Sequence, residues 1–536
     1  MDQKLETELV AKNQTEQSEP IIKQDAYEKL IIGSKSNIDA NSIIEALPFG
    51  KFQYIFGVSI FIHYCTAAIV TYNYGYLLMY PSYQCEFNNE WQTCTRQQMC
   101  EQRQNPTFNW KIDEGNNRSL NNWVQKFNLH CSDSYIIGLF GSIDFLGQLI
   151  ASFIFPPLSD KYGRRIIVVS GMVLQMLIIL GMFFISNYLT MYLVIFILGM
   201  TFTNKNFVTY SHLMEFMGKR ASFLTGLIFF CDSLIFIITP LIILNVSKNM
   251  NAIVGLALFS SILVLVLTFM NVFPESIIYN LSVGNYSSVI QDTKKICLIN
   301  KSTESQQKRV LDLIDSYIYH KKFDQESQRF MNDIAIGEIQ DQNVKILKLL
   351  LTTQNTIYNM TMMTFCWIAS SATFFLMNFY IKYIPGDIYT ISMIMGFSCI
   401  GYLISDFISL KYDVVRSLNM AYGIVSIIVF IILMVDAQRI HILVYSLLFF
   451  LLKTFVCMSY SSTVSHILLL DSRILATSYA LCGSFSRLVN LLVPMIAEAE
   501  NKSFPLKFLL FINLAAFIAS FLIRRSTKLE SSSSFK

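Results

Sequence analysis

The sequence predicts an all-α membrane protein with twelve transmembrane helices in two six-helix halves. Composition is the first reason: of 536 residues, 53% are hydrophobic and only 15% are charged, against about a quarter charged in soluble domains. The second is that apolar runs recur along the chain at the length of a bilayer crossing, roughly 20 residues each. The third is their grouping, six before and six after one long polar segment, 274–355. A soluble chain of this length needs several cores and far more polar surface. The net charge of +4 is too small to point to nucleic acid.

The chain opens with a polar tail, 1–52, rich in Gln, Glu, Lys and Ser, the composition of a disordered segment. The first apolar run, 55–78, comes too late and is too long for a cleaved signal peptide. A large loop, 80–134, follows. Spans 2 to 6 are read at 135–157, 166–187, 189–213, 221–244 and 251–273, which closes the first half at 53–273. The connector 274–355 carries "KK" at 294–295, "KR" at 308–309 and "KK" at 321–322, with helical patterning in "KRVLDLIDSYI". Spans 7 to 12 are read at 357–381, 388–410, 419–436, 440–464, 474–497 and 505–524, a second half over 356–525 with a tail, 526–536.

Lys and Arg set the orientation. Lys161, Arg164 and Arg165 follow span 2, Lys219 and Arg220 follow span 4, Lys411 and Arg416 follow span 8, and Arg524 and Arg525 open the last tail. These segments, the connector and both termini are expected in the cytoplasm. Loop 80–134 then faces outward. It holds Cys85, Cys94, Cys100 and Cys131 and three of the four Trp. Clustered outside cysteines point to two disulfides in an oxidising compartment, with three pairings open. "NRS" at Asn117 is a glycosylation sequon in the same loop; "NQT" at Asn13 also matches but falls on the cytoplasmic tail. The cysteine loop favours the plasma membrane, or an endomembrane, over a mitochondrial one.

Several stretches carry a family resemblance. "SDKYGRR" (159–165) resembles the signature loop between the second and third helices of the major facilitator superfamily. The resemblance implies that Asp160 accepts from an electropositive helix terminus, Gly163 makes the turn, and Arg164 and Arg165 anchor to acids or lipid phosphates. Together with Lys161 they form a latch that holds the halves and releases when they rock. The family's glycine four residues before the Asp is Pro156 here. "FGKFQ" (49–53), "NNWVQKFNLHC" (121–131) and "GSIDFLGQLIASFIF" (141–155) resemble the organic cation, organic anion and carnitine transporters of that superfamily. So do "MEFMGKR" (214–220), with Glu215 and Arg220, and "FPESIIYNLSVGNY" (273–286), with Glu275. These three acidic and basic residues join the latch. The similarity covers roughly 45–525 and is tighter in the first half. A signature before helix 11 is reduced to "LLLDSR" (468–473).

Charges within spans are expensive in lipid and mark candidate sites. Asp144, Lys205, Asp232, Lys453 and Arg487 fall near mid-span. Arg487, seven residues before Pro494, stands where the anion and carnitine branches carry an Arg and the cation branch an Asp. The resemblance implies that Arg487 binds a carboxylate through its donor fork; the alternative is an ion pair with Asp144 or Asp406. Lys453 matches a basic position of helix 10. "WIASSATFF" (367–375) resembles helix 7, so Trp367, Phe374 and Phe375 are expected to line the site, with Tyr210 from span 4. Lys205 and Asp232 read as a neutralising pair, or as a proton or substrate site. His63 is able to titrate near neutrality or simply to pack.

The reading is a secondary transporter of small organic ions by alternating access, leaning to anions or zwitterions such as carnitine. The alternative is a transport-inactive relative serving as receptor or structural subunit. A sugar-type facilitator fits the cysteine loop poorly. No enzyme is expected: there are no catalytic residues, no cofactor and no metal ligands. "SYSSTVSH" (459–466) reads as helix-bonded hydroxyls. The partners are the substrate and the lipid bilayer, with no nucleic acid; the coupling ion is left open.

Overall fold

The computed structural model describes residues 40–105, 108–217, 221–270, 273–334, 354–384, 386–412, 414–435, 442–467, 475–501 and 503–523. Residues 1–39 of the predicted N-terminal tail, the C-terminal tail, Asn13, Arg220, "LLLDSR" and Arg524–Arg525 lie outside these residues, as does the side chain of Asp406; the rest of the tail expected to be disordered carries the helix Ala40–Ala46. The described chain forms two units: 1–48 with 285–336, and 49–284 with 337–536.

The larger unit is the helical bundle. Among the described residues, eleven helices are long and apolar enough to cross a membrane, and a shorter apolar stretch, Leu481–Ala497, occupies the place of span 11. Span 1 is Lys51–Thr71 followed by the short helix Tyr74–Leu77; span 2 is Ser134–Tyr162; span 3 is Arg164–Gly181. Span 4 runs as Tyr188–Asn204, a π-helical turn Lys205–Thr209, and Tyr210–Met217. Span 5 is broken between Ala221–Asp232 and Ile235–Asn245, and span 6 is Asn251–Met270. In the second half, spans 7 to 10 are Gln354–Tyr380, Ile388–Phe397 with Ile400–Tyr412, Val414–Met434, and Ile442–Ile467. Span 11 is split into Leu475–Asn490 and Val493–Ala497, and span 12 is Phe504–Leu522. The split in span 11 falls just before Pro494, whose missing N–H fits the first turn of a restarted helix.

The helices end where local chemistry requires it. The Asn187 side chain accepts from Leu189 N and opens span 4, and Asp387 accepts from Thr390 N to open span 8. Large apolar side chains stay exposed along the outer faces of the spans, among them Phe153, Leu193, Phe259 and Phe511. A soluble bundle would bury them; a lipid-facing helix needs them exposed. Inside the bundle, glycines let backbones touch. A Cβ on Gly147 of span 2 would overlap the Phe196 carbonyl of span 4, which explains how two bulky helices approach so closely.

The fold departs from all-α in loop 80–134. Tyr83–Phe87 (β1), Glu90–Cys94 (β2) and Trp110–Ile112 (β3) form an antiparallel sheet of order β2-β1-β3. Asn88 and Asn89 turn the β1–β2 hairpin with φ of 52° and 67°, the positive values a two-residue turn requires. The four loop cysteines form Cys85–Cys94 and Cys100–Cys131, one of the three pairings left open by the sequence.

The smaller unit holds the helices Ala40–Ala46, Tyr286–Ile299 and Glu304–Ile334. Ile43, Val289, Ile296, Val310 and Ile314 form its buried residues. Asn300 donates to the Pro48 carbonyl at 2.7 Å.

Candidate functional site

A small, partly open cavity of about 40 Å³ lies at mid-span between the two halves. The first half contributes Tyr64 from span 1, Gln148 from span 2, Asn206 and Phe207 from span 4, and Phe229 from span 5. The second half contributes Trp367, Ser371 and Phe375 from span 7, Tyr460 from span 10, and Ser486, Arg487 and Asn490 from span 11. The lining has the usual make-up of a small-molecule site, aromatic walls with a few polar groups.

Arg487 is the charged side chain among the described lining residues. Its guanidinium carbon stands 4.5 Å over the Phe207 ring, reaching from the second half to the first. Gly483, one turn earlier on span 11, makes this possible. A Cβ there would lie 3.1 Å from Arg487 Nη1 and 3.3 Å from Phe207 Cζ. Phe207 is itself aimed by the π-helical turn, which adds one residue to the helical repeat and rotates Asn206 and Phe207 toward the cavity. Around this pair, Tyr64 donates to Asn206 Oδ1 at 2.7 Å and Asn490 donates to Ser371 Oγ at 2.7 Å. Tyr460 meets Trp367 edge-on at 6.4 Å and Phe229 at 5.8 Å.

Of the site residues expected from sequence, Arg487, Trp367 and Phe375 line the cavity. Lys453 and Phe374 do not; they share a closed box beside it. The Lys453 ammonium sits 3.3 Å over Phe236 and 5.4 Å from the Phe374 ring, and donates to Asn378 Oδ1 at 3.3 Å. It is fully buried and pairs with no acid among the described residues. Tyr210 lies just beyond the π-helical turn and is not part of the lining. Sequence reasoning passed over Tyr64, Gln148, Asn206, Phe207 and Tyr460. Their signal is faint: single polar or aromatic residues in spans rich in both.

The other buried charges are local. Lys205 donates to the Tyr64 carbonyl at 2.5 Å and stands 3.9 Å from Asp232, which accepts from Tyr72 OH at 2.8 Å. His63 is buried in span 1, with neither ring nitrogen hydrogen-bonded to a described residue. Asp144 is buried in span 2 and forms no ion pair with Arg487 or any other described residue.

At the Arg164 end of the bundle the latch is assembled differently from the expectation. Asp160 is exposed in the last turn of span 2 and takes no helix terminus. Glu275 takes it instead: its carboxylate accepts from Arg164 N at 2.8 Å and from Arg165 N at 3.0 Å, at the start of span 3. Gly163 admits it through a φ of +97° and the absence of a Cβ, which would lie 2.5 Å from Glu275 Oε2. The Arg164 guanidinium pairs with Glu215, which also accepts from Ser276 Oγ. Lys161 contributes its carbonyl to Tyr279 OH at 3.2 Å, while its ammonium lies over Tyr162. All these partners lie in the first half or in the start of the connector just after span 6, and none comes from the second half. The latch therefore ties spans 2, 3, 4 and 6 into one body rather than joining the halves.

The halves are joined at the loop end. Tyr74 stacks on Phe379 and Tyr76 on Tyr389, each at 5.8 Å. Lys382 pairs with Glu498 at 2.6 Å and donates to the Leu78 carbonyl at 3.2 Å. The loop itself takes part, since Arg118 donates to the Lys382 carbonyl at 2.6 Å.

Comparison with known proteins agrees with this architecture. Residues 106–494 match the family model of the Major Facilitator Superfamily. A Drosophila melanogaster "organic cation transporter-like protein" is 31% identical over 108 residues, which is 20% of this chain and 19% of that protein. The match thus spans about a fifth of that relative's length. The E. coli xylose transporter XylE, in a partially occluded inward open conformation, superposes with a TM-score of 0.60 at 12% identity, over 91% of this chain and 99% of that one.

Proposed function

We propose, from the premise that the chain belongs to the Major Facilitator Superfamily, that it is a secondary transporter of small organic anions or zwitterions. That family is one of membrane transporters rather than enzymes. The observation that carries the substrate class is Arg487 in the mid-span cavity between the halves. Its guanidinium offers paired donors that match a carboxylate, and Trp367, Phe375 and Tyr460 suit an apolar or cationic remainder. Carnitine has both features. No acid lines the cavity among the described residues, so an organic cation finds no counter-charge there.

Transport proceeds by rocking of two bodies. The latch keeps the first half rigid, and the contacts at the loop end must open while those at the Arg164 end close. Substrate would reach Arg487 from alternate sides. The plasma membrane is the proposed location, with loop 80–134 outside: it carries both disulfides and an exposed sequon at Asn117. The Lys/Arg bias puts the connector in the cytoplasm.

The test is uptake into proteoliposomes of labelled benzoate, carnitine and tetraethylammonium, side by side. Saturable uptake of benzoate or carnitine, without tetraethylammonium, is expected. Uptake of tetraethylammonium alone would contradict the substrate class, and uptake of none would favour a receptor or structural role.

A further inference from the structure

We propose that Asp144 is a proton-binding site in the core of the first half. It sits mid-way along span 2 and is 0% exposed. Both carboxyl oxygens lack a hydrogen-bond partner, and no ion pair reaches them. Gln148, Thr71 and Tyr74 are the polar side chains that reach its carboxyl, at the margin of hydrogen-bond geometry, and no described residue forms a full hydrogen bond to it. Each of the three is buried, and each has an unsatisfied atom of its own: Gln148 Nε2, Thr71 Oγ1 and Tyr74 OH. Five unpaired polar atoms thus converge in a region of close apolar packing, where such groups are expected to be satisfied.

The occupant that completes this cluster is small. A Cβ on Gly199 of span 4 would overlap the Asp144 carbonyl and lie 2.7 Å from its Oδ1, so the span 4 backbone is pressed against the carboxyl. Three of the orphan groups are donors or hydroxyls, which suits a carboxyl that alternates between acid and anion. As an acid it loses the uncompensated charge that burial makes expensive. As an anion it gains three donors if the surrounding helices draw together. Gln148 gives the route. It lies one turn from Asp144, its amide nitrogen is unsatisfied, and its side chain also lines the cavity. A proton passing between cavity and carboxyl has this amide beside its path.

The groups facing Asp144 from neighbouring elements leave it without a counter-charge. Tyr74 is the titratable group beside it. His63 on span 1 is buried, with neither ring nitrogen hydrogen-bonded to a described residue. The charged groups of the elements packed on span 2 are engaged elsewhere: Lys205 with the Tyr64 carbonyl and Asp232, Arg164 with Glu215, Glu498 with Lys382, and Arg487 over Phe207.

Proton binding stands on this geometry alone; only its use in coupling rests on the transport reading. The test is pH-difference infrared spectroscopy of the full chain in lipid nanodiscs. The carbonyl band of a protonated carboxylic acid should grow as pH falls, vanish in Asp144→Asn and persist in Asp232→Asn. Tyr74→Phe keeps the acid and should shift the band's frequency, which preserves the test if Asp144→Asn fails to fold. Identical bands in the wild type and Asp144→Asn would overturn the proposal, as would an unshifted band in Tyr74→Phe or no titrating band in the wild type. Loss of benzoate uptake with the Asp144 band intact would count against the transport reading and leave the proton site standing.

Discussion

Arg487 and Lys453 are both cations within spans of the second half, yet Arg487 is half-buried and Lys453 fully buried, in opposite kinds of surroundings. Arg487 faces a cavity, and its ring partner, Phe207, comes from the other half of the protein. Lys453 has no such space: two aromatic faces and the Asn378 amide close around its ammonium. The sequence presents the two alike, as a basic residue in an apolar span. What separates them is whether the cation opens onto the cavity between the halves. A cation already enclosed by ring faces is a packing element that bridges Phe236 of span 5 and Phe374 of span 7. A cation with one open side is a receptor for charge.

The comparison predicts a large difference on substitution. Arg487→Ala should reduce benzoate or carnitine uptake per inserted molecule by about a hundredfold or more, because the substrate carboxylate is left buried and unpaired. Arg487→Lys should recover only part, since an ammonium lacks the planar fork. Lys453→Met should act the other way round. It replaces a buried charge by an apolar chain of similar volume, a change that is often neutral or stabilising. Thermal unfolding in detergent should show no loss of stability, and uptake should stay within about threefold. A collapse of uptake in Lys453→Met with Arg487 intact would merge the two regions into one site.

Gly483→Ala sharpens the comparison at lower amplitude. The added Cβ meets Arg487 Nη1 and Phe207 Cζ at about van der Waals limits, so the guanidinium must tilt from its ring. Apparent affinity should weaken by roughly fivefold, near 1 kcal/mol, with unfolding unchanged. An unaltered affinity would show that the Phe207 contact does not position Arg487.

The latch gives the smallest expected effects on binding and a clear order between two acids. Glu275→Gln weakens the charge at the start of span 3 and should slow turnover several-fold without changing affinity. Asp160→Asn, at an exposed position, should do much less. The reverse order, read from initial rates at saturating substrate, would restore Asp160 to the role the sequence motif suggests.

How far these features are legible in sequence follows from what each depends on. The spans are legible because hydropathy is a local property of about 20 residues. Gly163 and the two arginines after it are legible because a turn motif is contiguous. Glu275 in place of Asp160 is not, because the carboxylate that reaches Arg164 N is 111 residues away. The π-helical turn at Lys205–Thr209 is not legible, because the polar residues from Thr203 to Asn206 mark a polar patch in the span but not the extra residue in its repeat. The β1–β2 hairpin carries its signal in Asn88 and Asn89, but it lies in a loop whose cysteines draw the eye first. Arg487 could be singled out from its place before Pro494; that Lys453 is enclosed depends on Phe236, which only the packing brings to it.

The account depends most on a carboxylate binding at Arg487, and equilibrium binding measures this without any transport cycle. Labelled benzoate and labelled carnitine, titrated against purified wild type, Arg487→Ala and Lys453→Met, separate the two in-span cations in one experiment. The account predicts saturable binding of at least one probe to the wild type and to Lys453→Met, and its loss in folded Arg487→Ala. Binding of that probe to Arg487→Ala with wild-type affinity would contradict it.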